Sequence, residues 1–332
     1  MIAFTFSRGA FLSAWIALVG AAAAVLPVGA IAQANWPNRP VRLLVPFPPG
    51  GGSDVIARTV GARLSARLGQ QIVIDNRAGA GGAMAMEAVA KAIPDGYTYL
   101  FTTTAMATIA ASGRKLPFDV AKDLAPIGQI GATPLLIVVP ATSEVKTLQD
   151  LIGAARVKPN AVKYGSSGIG SMSHIGMELV AAEAKVQLLH VPYRGTSLAV
   201  TELIAGQLQA VLGTFATHWQ LVEAGKLRAI VVTGAQRSTF APQLPTVAEA
   251  GLPGARMDFW WGLMSPARLS PELMKRMNEE LNAVLAQPEM RESLAREGAI
   301  PRPGTPGDFG KLMAFEVARW SKLIKDANIK VE

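Results

Sequence analysis

The sequence predicts an α/β protein, a largely parallel β-sheet covered by helices. Three observations carry this. Short apolar runs alternate with segments whose apolar residues recur every three or four positions. Gly- and Ser-rich loops stand where the runs end and the helical segments begin. Half of the 332 residues are apolar and 17 % are charged, against roughly 25 % charged in an average soluble protein. That balance excludes disorder, and the length suits one large or two ordinary domains.

The elements follow in order. Arg42–Pro46 is a short buried strand that runs into Phe47-Pro48-Pro49-Gly50-Gly51-Gly52-Ser53-Asp54. Ser53 or Asp54 can cap the next helix. There Ile56, Val60, Leu64 and Leu68 repeat every four residues until Gly69. Gln71–Asp75 is a strand, Gly79–Gly82 leads into a helix over Met84–Ala92, and Tyr97–Thr102 is a strand. Leu135–Val139 is a strand ended by Pro140, and Thr147 with Asp150 opens a helix. Val162–Tyr164 is a strand, and the loop Gly165–Ser173 precedes a helix over His174–Ala184. Strands at Val186–Val191, Gln209–Gly213 and Arg228–Thr233 alternate with helices at Ser197–Ala205 and Trp219–Ala224. Thr246-Val247-Ala248-Glu249 is a capping box. Asp258–Met264 is strand-like, and the tail is helical, with starts at Ser270-Pro271-Glu272 and Thr305-Pro306.

Met1–Ala34 has a different character. Arg8 is its only charge, an Ala-rich apolar run spans Ala10–Leu26, and Pro27 and Gly29 break it. The A-x-A signatures Ala30-Ile31-Ala32 and Ala32-Gln33-Ala34 complete the layout of a secretory signal peptide, cleaved near Ala32 or Ala34. No later run is long enough to span a membrane.

Residue counts exclude several chemistries. Without Cys there is no thiolate metal site, disulfide scaffold, thiol nucleophile or lipidated cysteine. Three histidines, His174, His190 and His218, leave little for a metal site. No G-x-x-x-x-G-K-[ST] occurs, and Gly168-Ile169-Gly170 only partly mimics a dinucleotide fingerprint. The formal charge of +8 is spread out rather than striped, which argues against nucleic acid and fits mild steering of small anions.

Candidate site residues cluster at the loops. Phe47–Asp54 ends at a helix N-terminus, where backbone N–H groups favour an anion; a tight turn that binds nothing is the plain alternative. Gly165–His174 offers many short donors, which suits a carboxylate. Thr102-Thr103-Thr104 can present hydroxyls to a cleft or simply extend a strand. Arg194 is either an anion partner or a surface charge. Ser171 or Ser173 with His174 can form a nucleophile–base pair, though no G-x-S-x-G elbow accompanies it. His190 is expected to pack within its strand, and Trp260-Trp261 in the core.

Val45-Pro46-Phe47-Pro48-Pro49-Gly50-Gly51-Gly52-Ser53-Asp54 resembles the first-loop signature of the Bug-type extracytoplasmic receptors of tripartite tricarboxylate transporters. The likeness continues through Asp75–Gly82, Pro94–Thr98, Lys122–Ile127, Tyr164–Gly168 with Ser171–His174, His190–Gly195, Ala224–Ala229 and Leu244–Gly251. The resemblance implies a type II periplasmic-binding-protein fold, two α/β domains around a ligand cleft. It divides the chain into 35–133 plus 260–332 and, between them, 134–259. It implies a monomeric periplasmic receptor without cofactor, metal or catalytic residues, holding a dicarboxylate, amino acid or aromatic acid for a transporter's membrane components or a sensor kinase. Carried over by motif, the contacts are Phe47, Pro49, Gly50, Gly51, Ser53, Thr103 and Thr104 from one domain, and Ser167, Gly170, Ser171 and Ser173 from the other, with Arg194 and Thr196 at the wall. A secreted Ser/His hydrolase is the competing class.

Three departures from the family pattern stand out. Ala110-Ala111 replace a usual Asn-Pro, in a segment one residue short. Leu208-Gln209 replace Val-Asp, and Gly213-Thr214 replace Asp-Asn. Without an acidic group there to hold an amine, a plain carboxylate or an uncharged acid derivative is favoured over an amino acid.

Overall fold

A computed structural model describes residues 1–2 and 36–329. The expected signal peptide, Met1–Ala34, lies outside the described residues except for Met1 and Ile2. The chain divides into two compact units, Met1–Asn38 and Arg39–Glu332, and every described strand and helix belongs to the second.

The first third is a β-α-β-α-β series. β1 (Val41–Val45), β2 (Ile72–Asn76) and β3 (Thr98–Thr103) are joined by α1 (Gly52–Leu68) and α2 (Ala83–Ala90). β1 pairs in parallel with both β2 and β3. α1 stops at Gly69, which takes a left-handed φ of 67°. That conformation costs glycine nothing, so the helix ends where its backbone can turn.

α3 (Thr104–Ala111) follows β3 at once, and the short α4 (Val120–Asp123) precedes β4 (Leu124–Pro140). α5 (Leu148–Val157), β5 (Lys163–Ser166), α6 (Met172–Ala184), β6 (Leu189–Pro192), α7 (Thr196–Ile204), β7 (Ala210–Thr214), α8 (Phe215–Glu223) and β8 (Leu227–Val232) come next. β9 (Asp258–Pro266), α9 (Pro271–Leu285), α10 (Pro288–Arg296), β10 (Ile300–Pro301) and α11 (Pro306–Asp326) complete the chain. The strands form a sheet in the order β2-β1-β3-β9-β4-β7-β5-β6, with β8 and β10 also pairing with β4.

β4 organises this sheet. Its first part, Leu124–Pro134, pairs antiparallel with β9. Its last part, Leu135–Pro140, pairs antiparallel with β7 and β8. One strand therefore serves two half-sheets, each with its own parallel strands: β1, β2 and β3 in one, β5, β6 and β7 in the other. This is the two-domain binding-protein fold.

The sequence shows only the last part of β4, because Pro126, Gly128, Gly131 and Pro134 interrupt the apolar pattern. Register shifts fall at Pro126/Gly128 and Gln129/Gly131, so bulges absorb these residues. At Gly131 a β-carbon would press on the Ile300 carbonyl, 2.9 Å away, where β10 pairs. The other correction is α3. The Thr102-Thr103-Thr104 run extends β3 by one residue and then caps a helix: Thr103 is the N-cap, its hydroxyl accepting from the Ala105 N–H at 3.3 Å.

The caps predicted at Thr147, Ser270 and Thr305 form, but neither Ser53 nor Asp54 caps α1: its N-cap is Gly51, without a side-chain bond, and both residues lie inside the first turn. Thr147–Asp150 and Thr305–Asp308 are reciprocal capping boxes, and Ser270 accepts from the Leu273 N–H. Thr246 and Glu249 exchange the same pair of bonds but open only a turn, since Gly251 follows with a φ of 84°. Trp260 and Trp261 are both buried, Trp260 meeting Phe309 edge to face at 5.4 Å.

Candidate functional site

A cavity of about 610 Å³ lies against both half-sheets. Phe47 and Pro48 line it from the β1–α1 loop, and Gly79, Gly81 and Gly82 from the β2–α2 turn. Thr103, Ala105, Thr108, Ile109, Ser112 and Arg114 contribute from α3 and its flanks, Ser167 and Ile169–Ser173 from the β5–α6 loop, Thr196 from α7, and Gly213, Thr214 and Thr217 from β7–α8.

The shared feature of these walls is the helix start. Gly82, Thr103, Ser171 and Thr214 are the N-caps of α2, α3, α6 and α8, and all four line the cavity. Thr196, the first residue of α7, lines it too. Gly82 and Thr214 make no side-chain cap bond. Each helix start concentrates positive potential and N–H donors. Among the lining residues there is no Asp or Glu, so no acidic side chain opposes that potential.

The β5–α6 loop is held by a hydroxyl network. Ser171 Oγ donates to the Gly168 carbonyl at 2.6 Å and accepts from the His174 N–H at 3.3 Å. Ser173 Oγ accepts from the Ser167 N–H at 3.0 Å and lies 3.0 Å from Ser171 Oγ and 3.2 Å from Ser167 Oγ. The loop can fold this tightly because Gly168 and Gly170 take φ of 130° and 75°, a region closed to most side chains.

A ladder of three rings backs the loop. His174 stacks on His190 at 3.9 Å, and His190 on Tyr164 at 5.0 Å. His174 Nδ1 accepts from the Gly170 N–H at 3.1 Å, so the ring is neutral with its proton on Nε2. His190 Nε2 meets Ser166 Oγ at 2.6 Å. Burial holds both histidines well below the usual range, at about 4, because charging a buried ring costs hydration. Neither Ser171 nor Ser173 hydrogen-bonds a ring nitrogen of His174 among the described residues; the Nδ1 acceptor is taken by backbone.

The β1–α1 loop is held from behind. Asp54 Oδ2 accepts from the Gly50 N–H at 2.9 Å and from Arg58 Nε at 2.8 Å, and Oδ1 accepts from Asn76 Nδ2 at 2.8 Å. Asn76 Nδ2 also donates to the Phe47 carbonyl at 3.0 Å. Burial pushes the Asp54 pKa up, but its three donors outweigh that and bring it to about 2.

Of the residues singled out from sequence, the structure brings Phe47, Thr103, Ser167, Gly170, Ser171, Ser173 and Thr196 together around the cavity. Pro49, Gly50, Gly51, Ser53, Thr104 and Arg194 lie outside its lining. Ser53 Oγ accepts from Trp261 Nε1 at 3.0 Å, and Thr104 Oγ1 from the Trp260 N–H at 3.0 Å. Pro49, Gly50, Gly51 and Arg194 are exposed.

Two parts of the wall were not singled out from sequence, and a third, Gly213-Thr214, entered only as a departure from the family pattern near the cleft. The Gly79–Gly82 turn carries the same strand–glycine–helix signature as the loops that were singled out, so that signal was present. Thr214 and Thr217 follow a strand end, a weaker cue. The face of α3 gave none, being Ala-rich and hidden behind a β-branched run.

The family described as "Tripartite tricarboxylate transporter family receptor" (TctC) matches residues 56–329. The chain belongs to this family. Protein BugT of Bordetella pertussis is 31 % identical over 96 % of this chain and 98 % of its own. Two solved structures are close in fold. R. palustris Rpa4515 with adipate has a TM-score of 0.79 and 36 % identity, over 89 % of this chain and 99 % of that one. MatC from Rhodopseudomonas palustris with bound malate has a TM-score of 0.76 and 30 % identity, over 87 % and 100 %. Among the described residues no helix of this receptor is long and apolar enough to cross a membrane.

Proposed function

We propose that this receptor works in the periplasm and captures a small organic carboxylate in the cavity for the membrane components of a tripartite tricarboxylate-type transporter. One observation carries the reading: four helix N-caps and the start of a fifth helix line one cavity that holds no acidic side chain. Such a site attracts an anion through backbone donors and offers an ammonium no partner. The relatives with adipate and malate support the same ligand class.

On this reading Phe47, Thr103, Ser167, Gly170, Ser171, Ser173 and Thr196 contact the ligand. Pro49, Gly50, Gly51, Ser53 and Thr104 shape the loops behind them, and Arg194 contributes at most to the field outside. The segments 35–133 plus 260–332 and 134–259 act as two lobes that close on the ligand about β4 and β9, a hinge motion common to ligand-closing folds.

A thermal-shift screen of dicarboxylates, amino acids and aromatic acids tests the reading. A bound acid at 100 times its dissociation constant adds about 2.7 kcal/mol of stability. If no acid raises the melting temperature, the carboxylate assignment falls. Uptake of the identified acid by a strain lacking this chain separates delivery to a permease from signalling to a sensor kinase. The hydrolase reading gains nothing from the geometry, since among the described residues neither Ser171 nor Ser173 hydrogen-bonds a ring nitrogen of His174, whose Nδ1 accepts from the Gly170 N–H.

A further inference from the structure

α3 forms one wall of the cavity. Thr103, Ala105, Thr108, Ile109 and Ser112 all line it, at the spacing that places residues on one helix face. Eight residues rise about 12 Å, so the two ends of this wall differ electrically. The Thr103 end is positive through the helix start. The Ser112 end carries the negative carbonyl pole of the same helix and would repel a second anionic group.

Arg114 stands at that second end. Its N–H donates to Ser112 Oγ at 3.3 Å, and Ser112 Oγ donates to the Ile109 carbonyl at 2.7 Å, which fixes the segment to the end of α3. Arg114 is the one formally charged residue among those lining the cavity. It also lines a neighbouring cavity beside Leu116 and Phe118, so it sits where the two spaces meet. The wall includes the apolar Ile109, Leu135, Leu212 and Phe259, suited to a methylene chain.

We infer that Arg114 recognises the distal carboxylate of a linear α,ω-dicarboxylate and so makes the receptor prefer dianions to monoanions. This rests on the carboxylate reading above. A guanidinium is suited to the role, since it pairs with a carboxylate in a planar, two-bonded geometry.

Isothermal titration of the full mature chain with succinate, glutarate, adipate, pimelate and suberate, each against its monomethyl ester, tests the inference. The half-ester keeps length and apolar body and loses one charge. The expected result is a diacid bound at least roughly tenfold more tightly than its half-ester, with the gap abolished in Arg114→Gln and largely kept in Arg114→Lys. Arg114→Gln should lower diacid affinity far more than half-ester affinity, a split that a merely structural role would not give. Equal binding of diacid and half-ester by the native chain overturns the Arg114 assignment and leaves the carboxylate reading standing. Binding of neither overturns both. The native-chain comparison keeps the inference falsifiable even if a variant fails to fold.

Discussion

His218 packs its imidazole against the α-carbon of Gly213, so closely that a β-carbon at position 213 would collide with the ring. The ring is fully buried. Its Nδ1 lies 2.5 Å from Thr217 Oγ1 and 3.2 Å from the Thr214 carbonyl. Gly213, Thr214 and Thr217 all line the cavity, so the histidine braces the cavity wall from behind.

Gly213→Ala is therefore expected to destabilise the protein by about 1–3 kcal/mol, the range for overpacking a filled interior. It should also weaken acid binding, because α8 starts at this corner. Urea denaturation of the variant reads the first effect and titration calorimetry the second. An unchanged urea midpoint would show that the ring has room to move.

The three histidines should make the fold acid-sensitive well above the carboxylate range. Burial lowers His174, His190 and His218 from 6.5 to about 4. The neutral rings contribute fully above about 6.5, where the unfolded chain is also neutral. As pH falls from there toward 4, the unfolded chain takes up protons first and stability drains away. For His218 alone the loss is on the order of 2–3 kcal/mol. Urea midpoints should fall steadily from about pH 7 to about pH 4.5; a flat profile across that window would contradict it.

Asp54 behaves in the opposite range. Its folded pKa of about 2 lies below the ordinary 3.8, so its contribution is complete above about 3.8 and disappears as pH falls through 2. Asp54→Asn keeps the shape and loses the charge, and should cost about 2 kcal/mol at neutral pH. The variant should also bind acids more weakly. Asp54 holds Gly50 and Asn76, and Asn76 holds the Phe47 carbonyl. Chemical denaturation at neutral pH, repeated near pH 3, is the check; equal loss at both would deny the charge its role.

Replacing Ser171 and Ser173 together by Ala should lower acid affinity by about tenfold, for a lost pair of polar contacts. Stability should fall by roughly 1 kcal/mol, since Ser171 caps α6. Calorimetric titration and a melting curve separate the two. Unchanged affinity with reduced stability would make the serines purely structural.

Much of the fold was legible because its signals are local. Gly69, Ser270-Pro271 and Thr305-Pro306 mark helix ends through bonds reaching three or four residues. The Gly/Ser loop 165–173 was legible as a strand-to-helix connection, because Gly168 and Gly170 supply its positive-φ turns and Ser171 caps the helix that follows. Those features the sequence determined by itself. The tertiary structure decided the rest. β4 crosses Pro126, Gly128, Gly131 and Pro134 as a strand only because β9 pairs along it and bulges absorb the misfits. The Thr103–Thr104 step became a helix start, with Thr104 tied to a backbone N–H 156 residues away. Ser53 turned to Trp261. The gathering of helix starts around one cavity depends on register between distant strands, and Arg114 gains its place from where α3 ends. No spacing within a short window encodes that meeting, because it is set by pairing and packing across the whole sheet.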